Sequence, residues 1–366
     1  MQLRWRPTSL VASIFAGLLL TQLSTSQTFS NCNPLQSSSC PADSALGKAV
    51  SIDFTKGSSD SFTPQGNPTY GSDGAKFTVA KAGDSPQIVS RWYIMFGRVE
   101  VVVKAAPGAG IVSSFVLQSD DLDEIDWEWL GADPDEVQTN YFGKGLTGSY
   151  NRGAFNPAAG SQSGYKTYTI DWNADQIVWQ IDGKTVRVQT AASAETNQYP
   201  QTPMQIKMGA WSGGDSANPQ GTIQWARGPT DYSKGPFSMY VKSISVTDYS
   251  TGTQYKYGDT SGSWKSIQAV GGTVNSKGGS STPVGSAAPA VTSKSSGQPI
   301  PFQGTTLYPS ATGSAGRYTS TLSNFPGLPS GWTVSTSGKV VPPNRAAGTC
   351  MSYFYFSFNY FFQTIY

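Results

Sequence analysis

The chain has 366 residues, with 25 Lys and Arg against 23 Asp and Glu for a formal net charge of +2, and it contains no histidine. Near-neutral charge without a basic cluster excludes a nucleic-acid binder that tracks phosphates, and the missing histidine removes Ser-His-Asp triads, Cys-His pairs and His-ligated zinc together. The chemistry must then run on carboxylates, tyrosines, lysines or water, with no cofactor and no metal, in one large all-β domain plus an extension.

In chain order, Arg4 and Arg6, an apolar run over 10–20 and the small residues Ser24-Thr25-Ser26 read as a secretory signal, residues 1–26, cut near Ser26. The run is too short to span a bilayer; an N-terminal membrane anchor is the alternative. In a secreted chain Cys32 and Cys40 pair as a local disulfide, which leaves Cys350 without an assigned partner.

From residue 50 to about 257, short β-rich runs alternate with Gly, Pro, Asn and Asp, and no stretch holds a helical period. Strands are predicted over 50–54, 75–79, 98–104, 111–118, 123–130 and 137–142. Further ones follow over 168–172, 177–181, 185–189, 205–211 and 239–249, with Asp182-Gly183 as a type I′ hairpin turn. Many short antiparallel strands predict a sandwich of two sheets, and no repeat supports a propeller or solenoid.

Beyond about residue 271 the composition turns to Ser, Thr, Gly, Pro and Ala. A stretch such as 276–298 cannot bury enough area to offset its ordering entropy, so 27–270 is read as the catalytic domain and 271–349 as a disordered, O-glycosylated stalk. The tail 350–366 is uncharged and rich in Phe and Tyr. With Ala346, Ala347 and Gly348 before it, the tail fits either a removable glycolipid-anchor signal with almost no spacer or a divergent terminus.

The chemistry centres on Asp123-Glu124-Ile125-Asp126-Trp127-Glu128-Trp129. Alternation on a strand puts Glu124, Asp126 and Glu128 on one face and Ile125, Trp127 and Trp129 on the other, the tryptophans as core residues. Three stacked carboxylates repel, so at least one should keep its proton near neutrality, which suits a carboxyl pair cleaving glycosidic bonds. The α-carbons of Glu124 and Glu128 should lie about 13 Å apart, so long side chains must lean together to reach the roughly 5 Å of a retaining pair. A solvated acidic face or a calcium site is the competing reading, weakened because like charges stacked along a strand are costly.

This stretch and its lead-in, Phe96-Gly97-Arg98-Val99-Glu100, Lys104-Ala105-Ala106-Pro107-Gly108, Ile111-Val112-Ser113-Ser114 and Ser119-Asp120-Asp121-Leu122, closely resemble the fungal Crh cell-wall transglycosylases, a branch of the family sixteen glycoside hydrolases. The likeness runs from about Cys32 to Trp264 and includes Thr139-Asn140-Tyr141-Phe142 and Lys144-Gly145. It implies a concanavalin-like β-jelly roll with a sugar groove on its concave sheet. It also implies Glu124 as nucleophile, Asp126 as its assistant and Glu128 as general acid/base, itself in contact with sugar.

A second matching block, Lys207-Met208-Gly209-Ala210-Trp211-Ser212-Gly213-Gly214-Asp215 followed by Gly221-Thr222-Ile223-Gln224-Trp225, carries over Lys207, Trp211 and Thr222 as sugar contacts. Core packing is the competing reading for Trp211, Trp225 stays near even, and Tyr141 is a weaker groove candidate. The resemblance implies a chitin donor, a glycosyl ester on Glu124, and β-glucan or chitin acceptors in the cell wall, with no obligate protein partner. A plain β-glucanase or chitinase, a non-catalytic lectin-like sandwich and a structural wall glycoprotein are the alternatives.

Overall fold

The computed structural model describes residues 30–146 and 151–278, and two short strands at 333–334 and 340–341. The signal segment, the cut near Ser26, the stalk from 279 onward apart from those strands, and the tail with Cys350 lie outside the described residues. Met1–Lys294 forms one unit and Ser295–Tyr366 another; in the second, the two short strands pair antiparallel.

In the first unit the strands run β1 (Asp43–Ser44), β2 (Ala49–Asp53), β3 (Phe62–Gln65), β4 (Thr69–Gly71), β5 (Gly74–Val79), β6 (Gln87–Ser90), β7 (Gly97–Lys104), β8 (Ile111–Ser119) and β9 (Glu124–Leu130). They continue through β10 (Glu136–Phe142), β11 (Ala154–Pro157), β12 (Lys166–Trp172), β13 (Gln176–Ile181), β14 (Lys184–Thr190), β15 (Met204–Ser212), β16 (Phe237–Asp248), β17 (Gln254–Tyr257) and β18 (Ile267–Val270). One antiparallel sheet is ordered β11-β10-β9-β8-β15-β6-β3, the other β14-β13-β12-β7-β16-β5-β4 with β2 also on β16, and β1-β17-β18 form a small third sheet. The jelly-roll sandwich is the architecture expected of the sequence.

Period-two patterning builds both layers. Along β7, Val99, Val101 and Val103 are buried while Arg98 and Glu100 face out, where the Arg98 guanidinium pairs with Glu100 at 2.9 Å and with Asp171 at 3.2 Å. Between the sheets, Trp127 and Trp129 lie fully buried, edge-on to Tyr168 of the facing sheet at 5.2 and 4.6 Å. Truncating one such Trp costs about 3–5 kcal/mol. The indole N–H of Trp179 crosses to the main-chain carbonyl of Asp126 at 3.2 Å, which fixes the acidic strand from behind. Arg187 of β14 ties the two layers at their edge by donating to the carbonyls of Thr139 and Arg152 at 2.8 and 2.7 Å. At the hairpin after β13, Asp182 and Gly183 both take positive φ, 49° and 76°, as a type I′ turn requires. Cys32 and Cys40 are joined by a disulfide.

Three differences from the sequence reading stand out. The predicted strands shift by a residue or two, and short strands β1, β3, β4, β6, β11, β17 and β18 are added, because two to four mostly polar residues carry no readable alternation. A six-residue helix, α1 (Gln220–Trp225), replaces the expected absence of helix; one and a half turns after Pro219 are too few to register a period. The fold also continues past 270: the Ser276 carbonyl accepts from Ala174 N–H at 3.1 Å, and Asn275 and Thr273 bond back to Ser250 and Thr251, so residues 271–278 belong to the sandwich and not to a stalk.

Candidate active site

On β9 the alternation is realised: Ile125, Trp127 and Trp129 enter the core, and Glu124, Asp126 and Glu128 occupy the outer face of the seven-stranded sheet. The register sets their neighbours. Gln118, Val116 and Ser114 of β8 stand beside Glu124, Asp126 and Glu128 in that order, and Phe142, Asn140 and Gln138 of β10 flank them on the other side. One strand further, Lys207 pairs with Val116 and Gly209 with Ser114. Despite lying on an outer face, Glu124 is 8% exposed and Asp126 only 2%.

Burial and mutual repulsion then separate the three carboxyls. Desolvation, reinforced by the charges of Glu124 and Glu128, pushes Asp126 far above the usual carboxylate range, and Asp126 is hydrogen-bonded to Glu124. Glu128 is pushed up to about 8, first by burial and then by the Glu124 charge, with a bond to Ser114 working against both. Glu124 accepts the side-chain N–H of Gln118 at 2.9 Å on Oε2, a contact that favours a charged acceptor. The Gln118 carbonyl oxygen in turn accepts from the Lys207 ammonium. A row of acids able to hold a proton at one end and a charge at the other can act as acid and nucleophile.

The remaining predicted residues separate by location. Lys207, 8% exposed, spends one of its three N–H donors on Gln118 beside Glu124. Trp211 is half-buried, donates to Ser114 Oγ at 3.2 Å and stacks on Trp225 with ring centres 6.1 Å apart. Both indoles pack on a small apolar cluster of Val112, Leu130 and Ala226, separate from the main core. Thr222 sits in the first turn of α1, on the same short helix as Trp225.

Tyr141 is a correction. It pairs with Ile125, so it points to the core face, is 4% exposed and lies against the Arg187 guanidinium. Its neighbours Asn140 and Phe142 share the face of the acids instead. Asp123, at the opposite parity and just outside β9, stands apart from the acidic row. It is fully buried just before β9, held by the Lys144 ammonium at 3.0 Å and by the Thr202 hydroxyl at 2.8 Å, and burial with the charge of Asp121 raises it to about 6.

Sequence reasoning missed Ser114, Gln118 and Gln138. Gln138 stands opposite Glu128 and accepts the Trp225 indole N–H at 3.0 Å, which anchors α1 to the acidic strand. The available signal was parity: Ser114 and Gln118 are four residues apart on one strand, hence on one face.

The family profile of "Glycosyl hydrolases family 16" matches residues 56–227. Crh-like protein 4 of Botryotinia fuckeliana is 58% identical, over 89% of this chain and 89% of its own. Crh-like protein 4 of Aspergillus fumigatus is 55% identical, over 93% of this chain and 78% of its own. A solved Crh5 transglycosylase in complex with NAG is 51% identical and superposes with a TM-score of 0.64 over 65% of this chain and 99% of that one. The chain belongs to the Crh-like branch of glycosyl hydrolases family 16, and its enzymology is that of a glycoside hydrolase or transglycosylase.

Proposed function

We propose that the protein is a retaining transglycosylase that cuts chitin and passes the fragment to β-glucan or chitin. The observation that carries this reading is the division of labour on β9, where Glu128 holds its proton to about pH 8 while Glu124 receives the Gln118 amide. In the first step the Glu124 carboxylate attacks the anomeric carbon, Glu128 gives its proton to the departing glycosidic oxygen, and a glycosyl ester forms on Glu124. In the second, the Glu128 carboxylate takes a proton from an acceptor hydroxyl, whose oxygen attacks the same carbon and releases Glu124. Asp126 bonds Glu124 and orients it.

Transfer is favoured over hydrolysis by the apolar ground around Trp211 and Trp225. The acceptor arrives where the leaving group departed, on the Glu128 side; Trp211 reaches that side through Ser114, Glu128's cross-strand neighbour. A flat apolar platform there holds a sugar ring better than it holds water. Lys207 and Thr222 would add polar contacts to hydroxyl or acetamide groups. The N-acetylglucosamine in the Crh5 transglycosylase supports chitin as donor.

A disulfide and the Crh-like relatives support work outside the cell, in the wall. On this reading residues 1–26 are a removed signal and the chain after 278 is a spacer. The test incubates the protein with chitin oligomers and fluorescent glucan or chitin acceptors. Tagged elongated products in excess of free sugars are expected; free sugars alone would establish a hydrolase.

A further inference from the structure

The Lys207–Gln118–Glu124 chain spans three adjacent strands, β15, β8 and β9. An amide side chain can be turned either way, and here the choice is forced. The Lys207 ammonium can only donate, so it takes the Gln118 carbonyl oxygen and leaves the Gln118 N–H group to face Glu124 Oε2 at 2.9 Å. Gln118 is itself 3% exposed, shut in by the strands on both sides, so the amide has no room to exchange partners with water. A cation on its oxygen also polarises the amide and strengthens its N–H as a donor.

We infer that Gln118 is a positioning residue for the reaction, locked by Lys207 so that its amide holds the Glu124 carboxylate charged and aimed before attack and stabilises it again as it leaves the glycosyl ester. The inference rests on the reading of Glu124 as nucleophile. In the ester-breaking step the bond from the anomeric carbon to the Glu124 oxygen breaks, the electron pair returns to the carboxylate, and the acceptor oxygen takes its place on carbon while its proton goes to Glu128. A donor already in place at Oε2 favours that return of charge.

The charged and titratable groups that bear on Glu124 are Asp126 and Glu128 from its own strand and Lys207 from β15, with Asp120, in the turn after β8, acting on Lys207. Phe142 of β10 stands across the ladder from Glu124. Gln118, Lys207 and the protonated Asp126 bonded to Glu124 all favour a charge on Glu124. Burial lowers the Lys207 ammonium below its ordinary range, and the charges of Glu124 and Asp120 oppose that, so the cation and the carboxylate support each other.

The test compares the full chain with Gln118→Leu, Gln118→Glu and Lys207→Met on a chito-oligosaccharide donor with a tagged acceptor, across pH. In Gln118→Leu, kcat is expected to fall ~10–100-fold with KM within twofold, and the acidic limb of kcat/KM to move up by about one pH unit, since Glu124 must lose its proton unaided. Gln118→Glu keeps a partner for Lys207 but faces Glu124 with a like charge, and should lose at least as much. Lys207→Met should move the acidic limb in the same direction by less. A Gln118→Leu protein with unchanged kcat and acidic limb, or with only KM raised, overturns the inference. If that variant does not fold, wild-type kcat in Gln118→Glu overturns it equally. Peptide mapping of rapidly quenched wild-type protein separates the two readings: a sugar ester on a carboxyl other than Glu124 sinks the nucleophile assignment regardless of what Gln118 does.

Discussion

Glu128→Gln should make the protein more stable and nearly inactive, and the gain should depend on pH. In the folded chain Glu128 keeps its proton up to about pH 8, while in the unfolded chain it ionises near its ordinary 4.5. The native state therefore binds more protons between those values, and stability contributed at this site is whole below 4.5 and is lost as pH rises through the window. At pH 7 the ceiling on the loss is about 3 kcal/mol, from 1.36 kcal/mol per pH unit. Glu128 is only half-buried and shares its repulsion with Asp126, so about half of this should be recovered by glutamine, which has no proton to give up. For a domain of this size that is ~3–6 °C in Tm. Thermal or urea unfolding of both proteins at pH 4 and pH 7.5 reads the effect: a gain at 7.5 that vanishes at 4 is expected, with transfer down ~100-fold or more. A variant that is equally or less stable at pH 7.5, or one that gains the same at both pH values, would refute the reasoning.

Trp211→Ala should raise the acceptor KM ~5–10-fold, about 1 kcal/mol of lost stacking, with kcat for donor hydrolysis little changed; steady-state assays with and without acceptor separate the two. Tyr141→Phe should leave donor and acceptor KM unchanged because the ring faces the core, whereas Tyr141→Ala should cost about 3–5 kcal/mol in urea unfolding. Lys144→Met should be comparably damaging at alkaline pH, since it strands Asp121 and Asp123, both fully buried, without their cation. A loss of about 3–5 kcal/mol is expected at alkaline pH, relieved as pH falls and Asp123 takes a proton, which happens above its wild-type value of about 6 because the Lys144 charge that lowers it is gone.

The acidic strand was legible because Glu124-Ile125-Asp126-Trp127-Glu128-Trp129 alternates without a break and two tryptophans say which face is inside. Tyr141 was misread for the complementary reason. Thr139-Asn140-Tyr141-Phe142 carries aromatic and polar residues at both parities, and only pairing with Ile125 decides which side each takes. The buried pairing of Asp123 was hidden because its partner Lys144 is 21 residues away. Long-range pairing of this kind hid Gln118 too: its role appears only once β15 brings Lys207 alongside β8. The α1 helix left no period to find, yet it carries Trp225 to Gln138 and completes the apolar ground beside Glu128.

Two carboxyls on opposite sides of the anomeric carbon, with an ester on Glu124 between two successive inverting displacements, predict that the anomeric configuration survives. Proton NMR of the first minutes of reaction on a chitin oligomer reads this directly. Newly formed reducing ends and new linkages in the β configuration are the expected result. Products that first appear as the α anomer would mean a single displacement by water, and Glu124 could not then be the nucleophile.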